Sequence, residues 1–201
     1  MKRIGLTFAA IPLVAFQLFS QIIHVPADQA SIQAAINAAN AGDTVLVAEG
    51  TYFENIRFNG RAITLASMYI MDGDTAHISR TIIDGSQALD PDMASVVTFN
   101  NCKDTTSILN GFTITGGKGF VTAGTGVDGQ PFSERLAGGI GIINAGGKVV
   151  NNIVRGNSFT AEPEYNSNGG GIVFSNFTGY YNAIIRNNNI YDNHIKGDTY
   201  T

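Results

Sequence analysis

Gly138-Gly139-Ile140-Gly141-Ile142 is followed by Val150-Asn151-Asn152-Ile153-Val154-Arg155-Gly156-Asn157. The pattern then returns: Gly169-Gly170-Gly171-Ile172-Val173-Phe174 precedes Arg186-Asn187-Asn188-Asn189-Ile190-Tyr191-Asp192-Asn193. A degenerate earlier copy reads Asn110-Gly111-Phe112-Thr113-Ile114-Thr115-Gly116-Gly117. Short apolar runs cut by Gly and Asn turns, recurring at one phase, are the mark of a solenoid whose units stack on one another. The runs are too short for helices and are rich in Ile, Val, Phe and Thr, so they read as strands.

Upstream of the repeat the same rhythm continues less regularly. Thr44-Val45-Leu46-Val47-Ala48 reads as a strand and Glu49 to Tyr52 as a turn. Phe53 to Phe58 reads as a second strand, ended by Asn59-Gly60. Ala62 to Ser67 is expected to stack on the first of these and Thr81 to Gly85 on the second. Ser95 to Phe99 and Ile108 to Thr115 supply the next turn, for about five rungs in all. Three stretches break the coil: Met68 to His77, Lys118 to Ala137 and Phe159 to Asn168. They read as irregular polar inserts, and inserts in repeat proteins gather on the face that binds. One helix is expected: Ser31 can cap it, Ile32, Ala35, Ile36 and Ala39 recur at helical spacing, and Asn40 to Asp43 ends it. It would cover the first open strand edges, with Ile22 to Val25 as a short strand before it.

The ends and the composition bound the setting. Lys2-Arg3, the apolar run Ile4 to Phe19 and the small Ser20 have the layout of a secretory signal peptide over residues 1–20. The run is short and interrupted for a bilayer span of roughly 20 residues. Residues 21–43 would form the entry strand and capping helix, and 44–201 the rungs. No cap follows Ile195 to Thr201, so the sequence reads as the start of a longer coil, with further C-terminal residues as its neighbour. Cys102 is the only cysteine, so stability rests on packing rather than disulfides. The net charge of −4 carries no basic stripe, which argues against nucleic acid.

Stacking turns the repeat into columns about 4.8 Å apart. With Ile114, Ile153 and Ile190 aligned, Asn152 and Asn189 fall in one column and Asn151 and Asn188 in the next. Their amides are expected to form ladders that hold register. The column two residues on reads Gly116, Arg155, Asp192, in which Arg155 would pair with Asp192. Four residues on it reads Lys118, Asn157, His194. Lys118, Arg155, Asp192 and His194 are therefore the candidate ligand-binding residues, suited to a uronate chain or equally to a solvated corner. No catalytic residue is singled out. Asp72, Asp74, Asp84, Asp90 and Asp92 offer oxygens of the kind calcium takes, without a recognised ligand spacing, so no metal or cofactor is assigned. Tyr165 and Tyr180-Tyr181 could stack on sugar rings or simply fill the coil.

Ser31 through Ile56, with Gly42-Asp43-Thr44 and Gly50-Thr51-Tyr52-Phe53-Glu54-Asn55, resembles the opening of right-handed parallel β-helix proteins of the pectin-lyase-like group. The stretches Ser95 to Thr98 and Gly111-Phe112-Thr113-Ile114, and the Gly-Gly-Ile and Asn-Asn-Ile repeats, extend the resemblance over nearly all of the chain after the leader. The repeats are also similar to those of polymorphic outer-membrane adhesins. The resemblance implies an all-β right-handed parallel β-helix, or solenoid, with a short N-terminal capping α-helix. It also implies a secreted or cell-surface protein that interacts with polysaccharide. Two alternatives stand beside this reading. One is a polysaccharide lyase or hydrolase whose site lies beyond residue 201. The other is a non-catalytic adhesin passenger. The paired-Asp motifs of the group's methylesterases and the Asp cluster of its calcium-dependent lyases find no match here, so enzyme status stays open.

Overall fold

The computed structural model describes residues 20–125, 129–163, 165–177 and 179–197. The proposed leader lies outside these residues except for Ser20. The described chain is mostly strand, and its main sheets are parallel. Strand β1 (Ile22–Val25) leads to helix α1 (Ile32–Ala38). The chain then visits three sheets in turn, in four full circuits and a fifth that reaches two of them. The first circuit is β2 (Thr44–Val47), β3 (Gly50–Tyr52) and β4 (Ile56–Arg57). The second is β5 (Thr64–Ser67), β6 (Thr81–Asp84) and β8 (Val97–Phe99). The third is β9 (Ile108–Asn110), β10 (Thr113–Thr115) and β13 (Ile140–Ile143). The fourth is β14 (Gly147–Val150), β15 (Ile153–Arg155) and β18 (Ile172–Ser175). The last holds β19 (Ala183–Arg186) and β20 (Asn189–Tyr191), followed by β21 (His194–Lys196).

Equivalent strands pair in parallel from circuit to circuit, giving the orders β1-β2-β5-β9-β14-β19, β3-β6-β10-β15-β20 and β4-β8-β13-β18. Each strand sends alternate side chains inward, so like residues stack in columns. Val45, Leu65, Leu109 and Val149 form one column, and Ile83, Ile114 and Val154 another; all seven are fully buried. Phe58 lies flat on Phe99, with ring centroids 4.3 Å apart. Burial of each such side chain contributes about 1.5–3 kcal/mol, which is how a chain without disulfides holds three-residue strands together.

The corners explain the Gly and Asn repeats. Gly111, Asn151 and Asn187 all have positive φ, as do Gly116, Gly156 and Asp192 at the next corner. Asn59, Asn101 and Asn144 do the same where one circuit passes to the next. Gly and Asn are the residues that take this conformation at least cost. The Gly-Gly pairs have a different cause. A Cβ on Gly138 would lie 2.5 Å from the Gly170 carbonyl, and one on Gly139 would lie 2.6 Å from that of Gly171. Neighbouring backbones pass too close there for any side chain.

Helix α1 is capped as expected: the Ser31 side chain accepts from Ala34 N. Glu54 adds what the sequence did not suggest, its two carboxylate oxygens accepting from Ile32 N and Gln33 N at 2.9 Å each. Ile32, Ala35 and Ile36 are buried, and the helix packs on β1, β2 and β4.

Several readings need correction. Glu49 to Tyr52 is not only a turn, because β3 begins at Gly50, and Thr81 to Asp84 stacks on β3 rather than on Phe53 to Phe58. The inserts are ordered rather than irregular. The stretch after Met68 forms helices α2 (Tyr69–Asp72) and α3 (Ala76–Arg80). The largest insert is an antiparallel hairpin of β11 (Gly119–Thr125) and β12 (Pro131–Leu136). It is flanked by β7 (Met93–Ala94) and β17 (Asn166–Asn168) in the order β17-β12-β11-β7. Strand β16 (Ser158–Thr160) pairs with β21. Apart from α2 and α3, these additions all leave the coil between its second and third sheets, so they build one flank.

The alignment on isoleucine slips by one residue in the fourth circuit. Val154, not Ile153, stacks between Ile114 and Ile190. The positive-φ corner residue sets the phase: Gly111, Asn151 and Asn187 are equivalent, and the inward residue follows each at the same interval. A one-residue slip exchanges the inner and outer faces. Val154 is fully buried, whereas Ile153 is only half-buried.

Candidate functional site

The flank of inserts encloses a groove of about 440 Å³ lined by Pro91, Lys118, Arg135, Ser158, Phe159, Thr160, Glu162 and Lys196. Five separate segments meet there, Pro91 among them. Lys118 precedes β11 and is anchored by its backbone N–H, which donates to Ala94 O at 2.9 Å. Arg135 comes from β12, the Ser158 to Thr160 stretch is β16, and Lys196 lies on β21 beside Thr160.

Arg135 organises the floor. Its side chain is only 8% exposed. Nη1 donates to Pro91 O at 3.1 Å. Nη2 lies 3.1 Å from Asp92 Oδ1 and 3.2 Å from Glu162 Oε1. The Tyr165 ring lies beneath the guanidinium, 5.4 Å from its central carbon, within cation–π range. Among the described residues, buried Nε has no hydrogen-bond partner, nor has Oγ of Ser167, the residue paired with Arg135 on β17. A buried guanidinium N–H without an acceptor is costly. Lys118 and Lys196 are exposed, and neither makes an ion pair among the described residues. Three cations therefore border the groove against Glu162 and the adjacent Asp92.

The four residues singled out from the sequence fare differently. Lys118 lines the groove. His194 is exposed on β21 and pairs with Ser158, but it does not itself line the groove. Arg155 lies opposite Tyr191, not Asp192, and no ion pair joins Arg155 to Asp192. Asp192 occupies the corner position of Gly156, with φ +52°, and its carbonyl accepts from Gly156 N. The expected pairing failed through the same one-residue slip. Asn157 likewise belongs with Asn193, and Ser158 takes its place opposite His194. Arg135, Lys196 and Glu162 were missed, and Asp92 was noted only among the carboxylates of the kind calcium takes. The available signal was a charged Arg135 within Pro131-Phe132-Ser133-Glu134-Arg135-Leu136, an alternating run inside an insert already marked as a binding face.

The amide ladders hold, in shifted register. Asn152 Oδ1 accepts from Phe112 N, and Asn188 Oδ1 accepts from Asn152 N, at 2.9 Å each. Asn157 and Asn193 repeat this at the next corner, accepting from Gly117 N and Asn157 N. The acidic residues of the inserts satisfy their own turns. Asp72, Asp74, Asp84 and Asp90 each accept the backbone N–H two residues on. Among the described residues no group of three or more His, Cys, Asp or Glu is placed to hold a metal ion.

A second polar cluster clips α2 and α3 to the first circuit. His77 lies between Glu49 Oε1 (2.5 Å) and Asp72 Oδ2 (3.1 Å), and Arg80 Nε reaches the same Glu49 oxygen at 2.9 Å. Partial desolvation pulls the imidazole pKa down, but hydrogen bonds to Asp72 and Glu49 outweigh it and hold the pKa above its ordinary value. A further cleft of about 290 Å³ on the other side of residues 87–93 is lined by exposed Phe53 and Leu89 together with Arg57 and Met93.

No described helix is long and apolar enough to cross a membrane. No family model, curated protein or solved structure matches the chain.

Proposed function

We propose that the chain is a right-handed parallel β-helix of the pectin-lyase-like kind, secreted or displayed at the cell surface. Its insert flank binds a polysaccharide carrying anionic sugars. The observation that supports this reading is the groove built by Lys118, Arg135 and Lys196. Its volume of about 440 Å³ falls in the range of about 300–1,000 Å³ usual for small-ligand sites. The two free ammonium groups at the rim and the hydroxyls of Ser158 and Thr160 suit a carboxylated or sulfated ring. Arg135 is held by Asp92 and Glu162 and serves as a rigid floor. The groove is a binding site in this reading, because its one lining carboxylate, Glu162, is engaged by Arg135.

The test is affinity electrophoresis in gels containing polygalacturonate, alginate or a neutral glucan. Retardation by the acidic polymers alone is expected, weakening between low and high salt because exposed charges are screened within about 10 Å at 0.1 M. Lys118→Ala and Lys196→Ala should each weaken binding about 1.4- to five-fold, the range of about 0.2–1 kcal/mol for an exposed ion pair. Equal retardation by the neutral glucan, or no loss in the double variant, would remove the basis of the proposal.

A further inference from the structure

The third sheet carries a smaller cavity on its outward face, whose lining shares no residue with the insert groove. Ile56 and Phe58, which flank Arg57, are fully buried. So are Val97 and Phe99 on either side of Thr98, and Ile140 and Ile142 on either side of Gly141. Arg57, Thr98 and Gly141 therefore form an outward row, paired in register across the first three circuits. The row does not open directly to solvent. Gly141 has no side chain, and the Phe120 ring takes that space: a Cβ there would lie 2.9 Å from the ring. Phe120 is paired with Met93, so β11 and β7 overhang the row together. The result is a cavity of about 170 Å³ lined by Arg57, Met93, Thr98, Asn100, Phe120 and Ile143. Arg57 and Met93 also border the cleft of about 290 Å³ beside it, which supplies the way in.

Arg57 is fixed at its backbone and free at its tip. Its N–H donates to Gln33 Oε1 at 2.7 Å, and its carbonyl accepts from Gln33 Nε2 at 3.2 Å. Its half-buried guanidinium makes no ion pair among the described residues. The Asn100 amide is committed to Asn59, which leaves the Thr98 hydroxyl as the polar neighbour of Arg57. A guanidinium fork set against apolar walls favours a carboxylate, which it can hold through two parallel N–H bonds. The apolar part of the space is the size of one ring, since an engineered apolar cavity of about 150 Å³ takes benzene. We propose that this cavity binds a small aromatic monocarboxylate, with the carboxylate on Arg57 and Thr98 and the ring between Met93, Phe120 and Ile143. Ring and thioether contacts of this kind are favourable in their own right. A sugar would bring more hydroxyls than the free polar groups of the cavity can meet. A second negative charge is disfavoured by Glu54 and Asp90, the carboxylates of the adjoining cleft. The site is independent of the polysaccharide reading of the insert flank.

The experiment titrates the protein with benzoate, benzyl alcohol and acetate, read by isothermal calorimetry and by shifts of the Met93 and Ile143 methyl resonances. Benzoate should bind saturably at about 1 mM or tighter. Benzyl alcohol lacks the charge and acetate the ring, so each should bind at least about ten-fold more weakly. Arg57→Gln should weaken benzoate at least about ten-fold and leave benzyl alcohol unchanged. Thr98→Val removes the hydroxyl at nearly constant shape and should weaken benzoate a few-fold, which keeps the test decisive if Arg57→Gln fails to fold. The double variant Lys118→Ala, Lys196→Ala should bind benzoate as the parent does, so failure of the insert groove and failure of this site read out separately. Absence of saturable benzoate binding, equal affinity for benzyl alcohol, benzoate shifts confined to the insert groove, or undiminished affinity in folded Arg57→Gln would each overturn the proposal.

Discussion

Asn152→Ala isolates what the inner ladder contributes. The side chain is 1% exposed. Its Oδ1 is the acceptor for Phe112 N at 2.9 Å. Its Nδ2 donates to Val150 O at 2.8 Å, Leu109 O at 3.3 Å and Asn188 Oδ1 at 3.1 Å. Truncation leaves the buried Phe112 N–H without a partner, which costs about 1–3 kcal/mol, and removes the carbonyl bonds at about 0.5–1.5 kcal/mol each. The expected loss is about 3 kcal/mol, a large share of the stability of a domain this size. Asn100→Ala is the matched control. It also joins two circuits, but through Asn59 at an exposed site, so its loss should stay below about 1 kcal/mol. Urea unfolding followed by far-ultraviolet circular dichroism supplies both values, and unchanged slopes would confirm that compactness is the same. Amide exchange at Phe112 gives the local readout and should accelerate in Asn152→Ala alone. A loss within about 1 kcal/mol of the control, or an unchanged Phe112 amide, would refute the claim that buried amides, and not only apolar columns, hold the circuits in register.

Gly138→Ala should destabilise by about 1–3 kcal/mol or prevent folding, because its Cβ would meet the Gly170 carbonyl, whereas Gly197→Ala should be silent in the same urea series. His77 has a raised pKa, so its clip contributes fully below the ordinary histidine value and is lost as pH rises through the raised one. Stability should thus fall across that window in the parent protein, and His77→Gln should flatten the profile; an identical profile would discount the clip. Burial is the main cause that pushes the Cys102 thiol up, opposed by weaker hydrogen bonds. A disulfide reagent should label it only at the rate of unfolding, and fast labelling of the native protein would contradict its position. Arg135→Ala should abolish acidic-polymer retardation and also cost about 1–2 kcal/mol, because it removes a nearly buried stem that ties β12 to Pro91, Asp92 and Glu162.

The sequence by itself determined the local grammar. Runs such as Thr44 to Val47 and Ile140 to Ile143 read as short strands, Ser31 starts a helix, and Gly or Asn stands at most of the corners where the backbone turns with positive φ. These are local properties, set by side-chain branching and by what each residue permits at its own Cα, so they are legible one segment at a time. Register was not. Ile153 and Val154 are chemically alike, and the choice between them rests on the corner at Asn151 and on the buried columns above and below. That choice moved Arg155 away from Asp192 and set Asn188 rather than Asn189 in the ladder. The groove was even less accessible. Lys118 and Arg135 flank one hairpin, whereas Glu162 and Lys196 come from the following two circuits. Stacking brings those segments together, because strands far apart in the chain become neighbours about 4.8 Å apart in space. Only the tertiary structure could decide which charges share a site.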